Sequence, residues 1–421
     1  MPSQDPARRA VVTGMGAVTP IGNDAETFWS NLLAGVPGGG PITSFDASGF
    51  DVRIAAEVKD FDPLIVMDRK MARRMSRFVH FAMAAATEAV DRAGLDFSDW
   101  SPERRDRVAV AINTGGGGME QVTEGTRTLE EKGPGQVSPF AIPALSGSMG
   151  AAQVSMKYGL TGPVITQVAA CASGVIAFQD GLRLIQTGEC DVVIAGGTEA
   201  PLLPVAFAAL ANMGALSKRN DDPGGASRPF DRTRDGFVYG EGAGVLILES
   251  AAHAMTRGAP ILAEVIGASL TADAFHISAP EPTGRGAMMA MTNAMRHAGV
   301  APDEIDHVVA HGTSTALNDV TETKAIKAAL GGHAYKTAVS APKSMVGHML
   351  GGAGAAAAIA AVGSIRDGWI APTINYHEPD PECDLDYVPN VKRRARVETA
   401  MVNGFGFGGQ NAVAIFRRFV E

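Results

Sequence analysis

Short β-branched runs alternate along the whole chain with longer alanine-rich stretches of helical period. Residues 10–12, 108–112, 164–168, 192–195 and 245–249 predict one set of strands, and residues 261–267, 307–310, 338–340 and 412–416 predict a second. These runs are apolar throughout rather than alternating, as in strands covered on both faces, so an α/β layered protein is expected. Apolar spacing near 3.6 predicts helices over 74–93, 174–187, 284–298 and 321–330, with Gly188 and Gly299 where C-terminal caps belong. Residues 353–362 are mostly alanine, which predicts a buried helix that lets another backbone come close. The stretch falls well short of the ~20 residues needed to span a bilayer.

The two strand sets repeat a pattern. In each, a strand leads through a loop of reactive residue types into a small-residue helix, at 166–174 in the first and 340–354 in the second. A duplication with its seam near 250–260 is expected, giving halves 1–255 and 256–421 that share one core. Composition supports a folded chain, since 46% of its 421 residues are hydrophobic and 19% charged. A formal charge of −9 argues against a general nucleic-acid binder. Cys171, Cys190 and Cys383 lie far apart with no CxxC pair, which excludes a disulfide scaffold or zinc ribbon and suits a reduced cytosolic protein. Residues 1–10 are polar and show no secretory signal, so a soluble cytoplasmic protein is expected.

Cys171 lies in Gln-Val-Ala-Ala-Cys-Ala-Ser-Gly, between an apolar run and a helical pattern. A helix N-terminus there favours the thiolate, and its N–H groups are placed to hold an oxyanion. A small buried cysteine is the alternative. His311 in Ala-His-Gly-Thr-Ser-Thr follows a strand end, and His348 lies between glycines in Lys-Ser-Met-Val-Gly-His-Met-Leu-Gly-Gly. One cysteine and two histidines in glycine-flanked settings suit a nucleophile served by imidazoles, hence acyl chemistry. Glu322 and Lys343 are candidates for a pair positioning the histidine loops, and Asp319 for a cap of the helix starting near residue 320. The run Asn403-Gly-Phe-Gly-Phe-Gly-Gly-Gln-Asn predicts a glycine–aromatic loop that gates an apolar tunnel. Two glycine motifs mislead: Gly14-Met15-Gly16 lacks the third glycine of a dinucleotide fingerprint, and Gly115 to Gly118 lacks the Lys-Ser/Thr of a phosphate loop.

Ala-Cys-Ala-Ser-Gly, Ala-His-Gly-Thr-Ser-Thr, Lys-Ser-Met-Val-Gly-His and Asn-Gly-Phe-Gly-Phe-Gly-Gly, in that order, resemble the β-ketoacyl-[acyl-carrier-protein] synthases, most nearly the type II synthases of bacterial fatty-acid elongation. Ser227-Arg-Pro-Phe-Asp and Arg234-Asp-Gly-Phe extend the resemblance over almost the whole chain. It implies a thiolase-like five-layered αβαβα fold with two pseudo-duplicated halves, normally a homodimer. It implies Cys171 as the acyl-accepting nucleophile, His311 and His348 as decarboxylation histidines, and Lys343 with Glu322 as their support. It further implies Thr313 and Thr315 on the phosphopantetheine arm, and Phe405 as the gate, its N–H completing an oxyanion hole with that of Cys171. The partner would be acyl carrier protein, docking on a basic patch in which Lys70, Arg73, Arg74 and Arg219 match family positions. Neither a metal nor a redox cofactor is implied, nor nucleic acid or membrane. The expected reaction is decarboxylative condensation of a Cys-bound acyl group with a malonyl carrier thioester; the alternatives are a polyketide or specialised-lipid ketosynthase, or a non-elongating partner subunit. Two departures stand out. Ala357 replaces the usual glutamate, which puts the polar or cation network behind the histidines in question. Gly116 replaces a bulkier residue of the acyl pocket, which predicts a roomier tunnel.

Overall fold

The computed structural model describes residues 5–421. The first part of the chain contributes strands β1 (Ala10–Val18), β2 (Val108–Asn113), β3 (Val164–Ile165), β4 (Val192–Glu199) and β5 (Gly242–Ser250). The second contributes β6 (Ala263–Ala272), β7 (His307–Val309), β8 (Ala338–Ser340), β9 (Thr399–Gly406) and β10 (Gln410–Arg417). All ten form one continuous sheet in the order β8-β7-β9-β10-β6-β1-β5-β4-β2-β3. Read outward from the β1–β6 join, the two sides are the same: two antiparallel pairings followed by two parallel ones. The chain is therefore a duplication. Its halves are stitched by a short antiparallel ladder, Ala10 opposite Val265 and Val12 opposite Ala263.

Of the longer helices, α1 (Arg77–Ala93) lies on the sheet, α2 (Met119–Lys132) stands off it against the short helix Ala141–Leu145, and α3 (Ser173–Gln186), α4 (Arg285–Ala298), α5 (Ala316–Leu330) and α6 (Ala353–Asp367) complete the layers around it. α1 packs on β1, β4 and β5, while α4 packs on β6 and β10 with α5 beside it. α3 and α6 touch strands of both halves, so they form the middle of five αβαβα layers. Every residue of β1, β2, β4 and β5 is buried, in keeping with their unbroken apolar runs. The false dinucleotide motif has a packing purpose. A β-carbon on Gly16 would stand 2.0 Å from the Ala85 carbonyl oxygen, so the glycine lets α1 lie directly on β1. No helix of the described residues is long and apolar enough to cross a membrane.

Several boundaries differ from expectation, each for a local reason. The strand expected over 164–168 stops at Ile165, because Thr166 Oγ1 donates to the Ile112 carbonyl and Asn113 Oδ1 accepts from Gln167 N–H. The helix expected from residue 74 begins at Arg77; Ser76 before it is extended, and Asp68 caps a separate turn, Arg69–Ala72. α5 begins at Ala316, capped by Thr315, whose hydroxyl accepts from Asn318 N–H at 3.3 Å. Asp319 is therefore not a cap. It lies inside the helix, buried, accepting from Phe230 N–H at 2.8 Å. Thr399–Gly406, whose end was expected to be loop, is strand β9, and the left-handed turn is confined to Gly408 and Gly409.

His307 on β7 is buried with Ser340 Oγ 2.8 Å from Nε2 and Ser364 Oγ 3.2 Å from Nδ1, and burial lowers its pKa from 6.5 to about 3. A histidine held neutral stabilises the fold fully above pH 6.5 and loses that contribution as pH falls toward 3, about 1.4 kcal/mol per unit of depression. His307→Gln should flatten the fall of chemical-denaturation stability across that window, an unchanged slope being the contrary result. Gly16→Ala should lower stability by about 1–3 kcal/mol or more, read as a lower denaturant midpoint, because backbone and not a movable side chain stands in the way.

Candidate active site

The carboxyl ends of the strands from both halves converge on one cavity of about 320 Å³, lined by Cys171, His311, His348 and Thr313 among others. This is the edge at which α/β sheets present their loops to ligands. Met213 and Leu317, each more than half exposed, mark its open end.

Cys171 sits in the turn Ala170–Ala172 between β3 and α3. Ala170 before it is held at φ +47°, a left-handed conformation unusual for alanine, so the thiol stands on a strained elbow. Ser173 braces that elbow, accepting from Ala169 N–H at 2.9 Å and donating to the Ala170 carbonyl at 2.7 Å. The sulfur is buried, and burial pushes the thiol pKa up to about 12 against the charge of Lys343 and the N–H groups of Phe407 and Cys171 itself. The thiolate expected at a helix N-terminus is thus corrected: desolvation outweighs the dipole, and the resting group is a thiol.

His311 follows β7 with both ends of its peptide gripped. Its N–H donates to Glu322 Oε1 at 2.7 Å, Gly312 N–H donates to Oε2 at 2.7 Å, and Lys343 Nζ donates to the His311 carbonyl at 2.6 Å. Glu322 is held in turn by Asn403 Nδ2 at 3.0 Å and Asn318 Nδ2 at 3.3 Å. The expected pairing of Glu322 with Lys343 takes this indirect form, since no ion pair joins them among the described residues. His311 Nδ1 accepts from Phe405 N–H at 3.3 Å and lies 3.5 Å from Lys343 Nζ. With donors on Nδ1, the imidazole proton belongs on Nε2. The His348 ring lies 5.4 Å from that of His311, nearly perpendicular, and is anchored by its backbone N–H on the Val238 carbonyl at 2.7 Å. Burial and the Lys343 charge hold both imidazoles well below 6.5, so both are neutral, while burial lowers Lys343 itself to about 8.

Other expected residues fall into place unevenly. The hydroxyls of Thr313 and Thr315 are 2.9 Å apart and both line the cavity. Phe405 lines it as well, with its ring 5.5 Å from that of His311. Its N–H, however, is spent on His311 and is not free for the oxyanion hole expected there, while the N–H acting on the sulfur is that of Phe407. Gly116 is exposed and away from the cavity lining. Met119 Sδ stands 3.2 Å from where its β-carbon would be, so the room expected there is taken. Lys70 and Arg73 are exposed, and Arg74 lies with its guanidinium 4.2 Å over the Phe140 ring. Arg219 is turned partly inward, donating to the Thr233 carbonyl at 2.6 Å with Asp235 at 3.7 Å, and 34% of its side chain stays exposed. Ala357 is buried in the alanine face of α6. Sequence reasoning passed over Phe407 and Glu199. The repeated Gly-Phe could not say which N–H turns inward. Glu199 carried one signal, an acid at the end of a buried strand.

Two family models match the chain: the β-ketoacyl synthase N-terminal domain over residues 7–254 and the β-ketoacyl synthase C-terminal domain over residues 262–377. A 3-oxoacyl-[acyl-carrier-protein] synthase 2 from Synechocystis sp. is 48% identical over 412 residues, covering 98% of each chain. The protein of that name from Coxiella burnetii is 46% identical, covering 98% of this chain and 99% of its own. Among solved structures, the ishigamide ketosynthase/chain length factor superposes with a TM-score of 0.92 at 36% identity, over 98% of this chain and 100% of its own. A type II polyketide ketosynthase in complex with its acyl-carrier protein superposes at 0.89 with 32% identity, over all of both chains.

Because Lys343 lowers the Cys171 thiol pKa, Lys343→Met should slow iodoacetamide alkylation of Cys171 at pH 8 by about tenfold per unit of added shift. Quantifying the labelled peptide by mass spectrometry checks this, and equal rates would contradict it.

Proposed function

The chain belongs to the β-ketoacyl synthase family, and from that premise we propose that it condenses a Cys171-bound acyl group with a malonyl group on acyl carrier protein. The products are 3-oxoacyl carrier protein and CO₂, in fatty-acid elongation. The observation that carries this is one cavity shared by a buried thiol and two neutral imidazoles. Cys171 Sγ attacks the incoming acyl thioester, its proton passing to a cavity imidazole; the bond to the carrier sulfur breaks, and the imidazole returns the proton to that sulfur, which leaves as a thiol. When malonyl carrier protein follows, the bond between its α-carbon and carboxylate breaks, CO₂ departs, and negative charge builds on the thioester oxygen. The Nε2–H of His311, together with His348, is the donor set aimed at that charge, an effect worth roughly 3–4 kcal/mol per donor in comparable sites. The α-carbon then attacks the acyl carbonyl. The N–H groups of Cys171 and Phe407 receive the oxyanion, and its collapse releases the sulfur.

Thr313 and Thr315 hydrogen-bond the pantetheine arm between the open end and the sulfur, a role supported by their hydroxyls lining that cavity. Lys70, Arg73 and Arg74 give an acidic chain a local basic surface, which speeds encounter with an acidic carrier more than it tightens binding. Each developing charge is met by a residue of the chain, so the proposal includes no metal or redox cofactor. Fatty-acid elongation is favoured over a polyketide role by relatives 46–48% identical named 3-oxoacyl-[acyl-carrier-protein] synthase 2, against 32% for the type II polyketide ketosynthase. The proposal includes a cytoplasmic homodimer. α2 buries none of its own residues, and Val122, Leu129, Ile142, Val164 and Val168 are exposed around it and at the free edge of β3, a surface suited to a second copy.

Incubation with an acyl carrier thioester should place one acyl group on Cys171, detected by peptide mass mapping. Cys171→Ala should lose condensation, and retained condensation would refute the mechanism. His311→Ala should lose malonyl decarboxylation by about 10²-fold or more, as for one removed donor, while keeping more of the acyl transfer. Equal damage to both half-reactions would contradict the division of roles.

A further inference from the structure

The glycine run after β2 is shaped like an anion cradle but lacks the residues of a phosphate loop. The anion it holds is part of the protein. Glu199, at the end of β4 and 1% exposed, accepts from Thr114 Oγ1 at 2.9 Å and Gly116 N–H at 3.0 Å on one oxygen. Its other oxygen accepts from Gly115 N–H at 2.5 Å and Gly351 N–H at 3.0 Å. Burial raises the pKa of this carboxyl, and four donors oppose that, three of them backbone N–H groups that can only donate, so the group is held as a carboxylate. No cation pairs with it within 4.0 Å among the described residues.

The duplication gives this arrangement its meaning. β2 and β7 are counterparts, and in each half the two N–H groups just beyond the strand are taken by one buried carboxylate: Gly115 and Gly116 by Glu199, His311 and Gly312 by Glu322. The turns Ala170–Ala172 and Leu350–Gly352 are counterparts too, each opening with a left-handed non-glycine residue, Ala170 at φ +47° and Leu350 at φ +41°. Gly351 therefore stands where Cys171 stands in the other half. A β-carbon on it would meet Glu199 Oε2 at 2.8 Å and Gly115 N at 2.6 Å, so the twin of the nucleophile has no side chain and gives its N–H to Glu199. His348 lies three residues upstream on the same segment.

We propose that Glu199 is a positioning residue: its carboxylate ties the glycine run of the first half to the His348 segment of the second and sets a fixed negative charge beside Cys171. That charge adds to burial in keeping the sulfur protonated at rest, and it opposes Lys343. The groups facing the sulfur are Lys343, Glu199, Tyr239 and the two cavity imidazoles, and Glu199 is among those that raise the thiol pKa. The inference rests on Cys171 being the nucleophile of the proposed reaction, but its test does not need that reaction.

The test is the pH dependence of Cys171 alkylation by iodoacetamide in Glu199→Gln and Glu199→Asp, with the Cys171 peptide quantified and folding checked by thermal melting. Gln removes the charge, and alkylation at pH 7 should rise about threefold to tenfold, whereas Asp keeps the charge and should stay within about twofold of the wild type. Condensation should fall about tenfold or more in both variants, since neither side chain satisfies all four donors. A Gln profile that coincides with the wild type overturns the assignment, as does a folded Gln variant that condenses at the wild-type rate. Should the Gln variant not fold, Thr114→Val removes one donor and makes the carboxylate easier to protonate. Faster Cys171 alkylation at pH 6 in that variant supports the assignment, and an unchanged rate overturns it. Failure of the condensation reading would appear separately, as alkylation shifts in a protein that forms no acyl-Cys171.

Discussion

The ammonium of Lys343 is the interaction on which the site's balance depends. Its 2.6 Å bond to the His311 carbonyl joins the loop after β8 to the loop after β7, so the two histidine segments are fixed to each other and not merely adjacent. Its charge lowers the Cys171 thiol pKa while pressing both imidazoles toward neutrality. These two effects pull the chemistry the same way. In the proposed reaction the thiol loses a proton and the imidazoles donate hydrogen bonds without carrying charge, and both are served by one cation in a dry place. Burial works against the cation, lowering its own pKa to about 8, and the carboxylate of Glu322 opposes that loss.

The duplicated sheet explains how such residues meet. Each half alone offers a strand end, a strained turn and a helix N-terminus, and those are ordinary products of α/β topology. The β1–β6 ladder joins the halves into one sheet, so that strand ends from both contribute to the same cavity. One half supplies Cys171 and the other the two imidazoles. The asymmetry is local: where one turn carries Cys171, its twin carries Gly351, and the vacated space admits the backbone of the first half.

Much of this was legible in the residues. Strands buried on both faces declare themselves by apolar runs, and nine of the ten were foreseen, Ala338–Ser340 with its bounds. β9 escaped because Gly404 and Gly406 look like loop, although they are small there for close packing, Val175 Cγ2 lying 2.8 Å from a β-carbon on Gly404. Cys171, His311, His348 and Lys343 stood out because glycines flank them or a strand precedes them. Side-chain direction was not legible. Nothing local told that Arg219 turns partly inward, that Met119 fills the place beside Gly116, or that Phe407 and not Phe405 gives its N–H to the sulfur. The ionisation of Cys171 was misjudged for a related reason, since a helix N-terminus is a sequence feature whereas the depth of burial belongs to the assembled fold.

The two buried carboxylates complete the argument about charge. Glu199 and Glu322 each take four hydrogen bonds, all from neutral groups, backbone amides foremost. Neutral dipoles can satisfy an anion without bringing in further positive charge, so the field of Lys343 is not diluted by rival cations near the sulfur and the rings. Had arginines held these carboxylates, the thiol would sit beside several fixed cations and ionise more readily at rest, exposed to whatever electrophile entered the cavity. Glycine amides hold the anions at the cost of side chains in those loops, which is why the reactive residues stand among glycines.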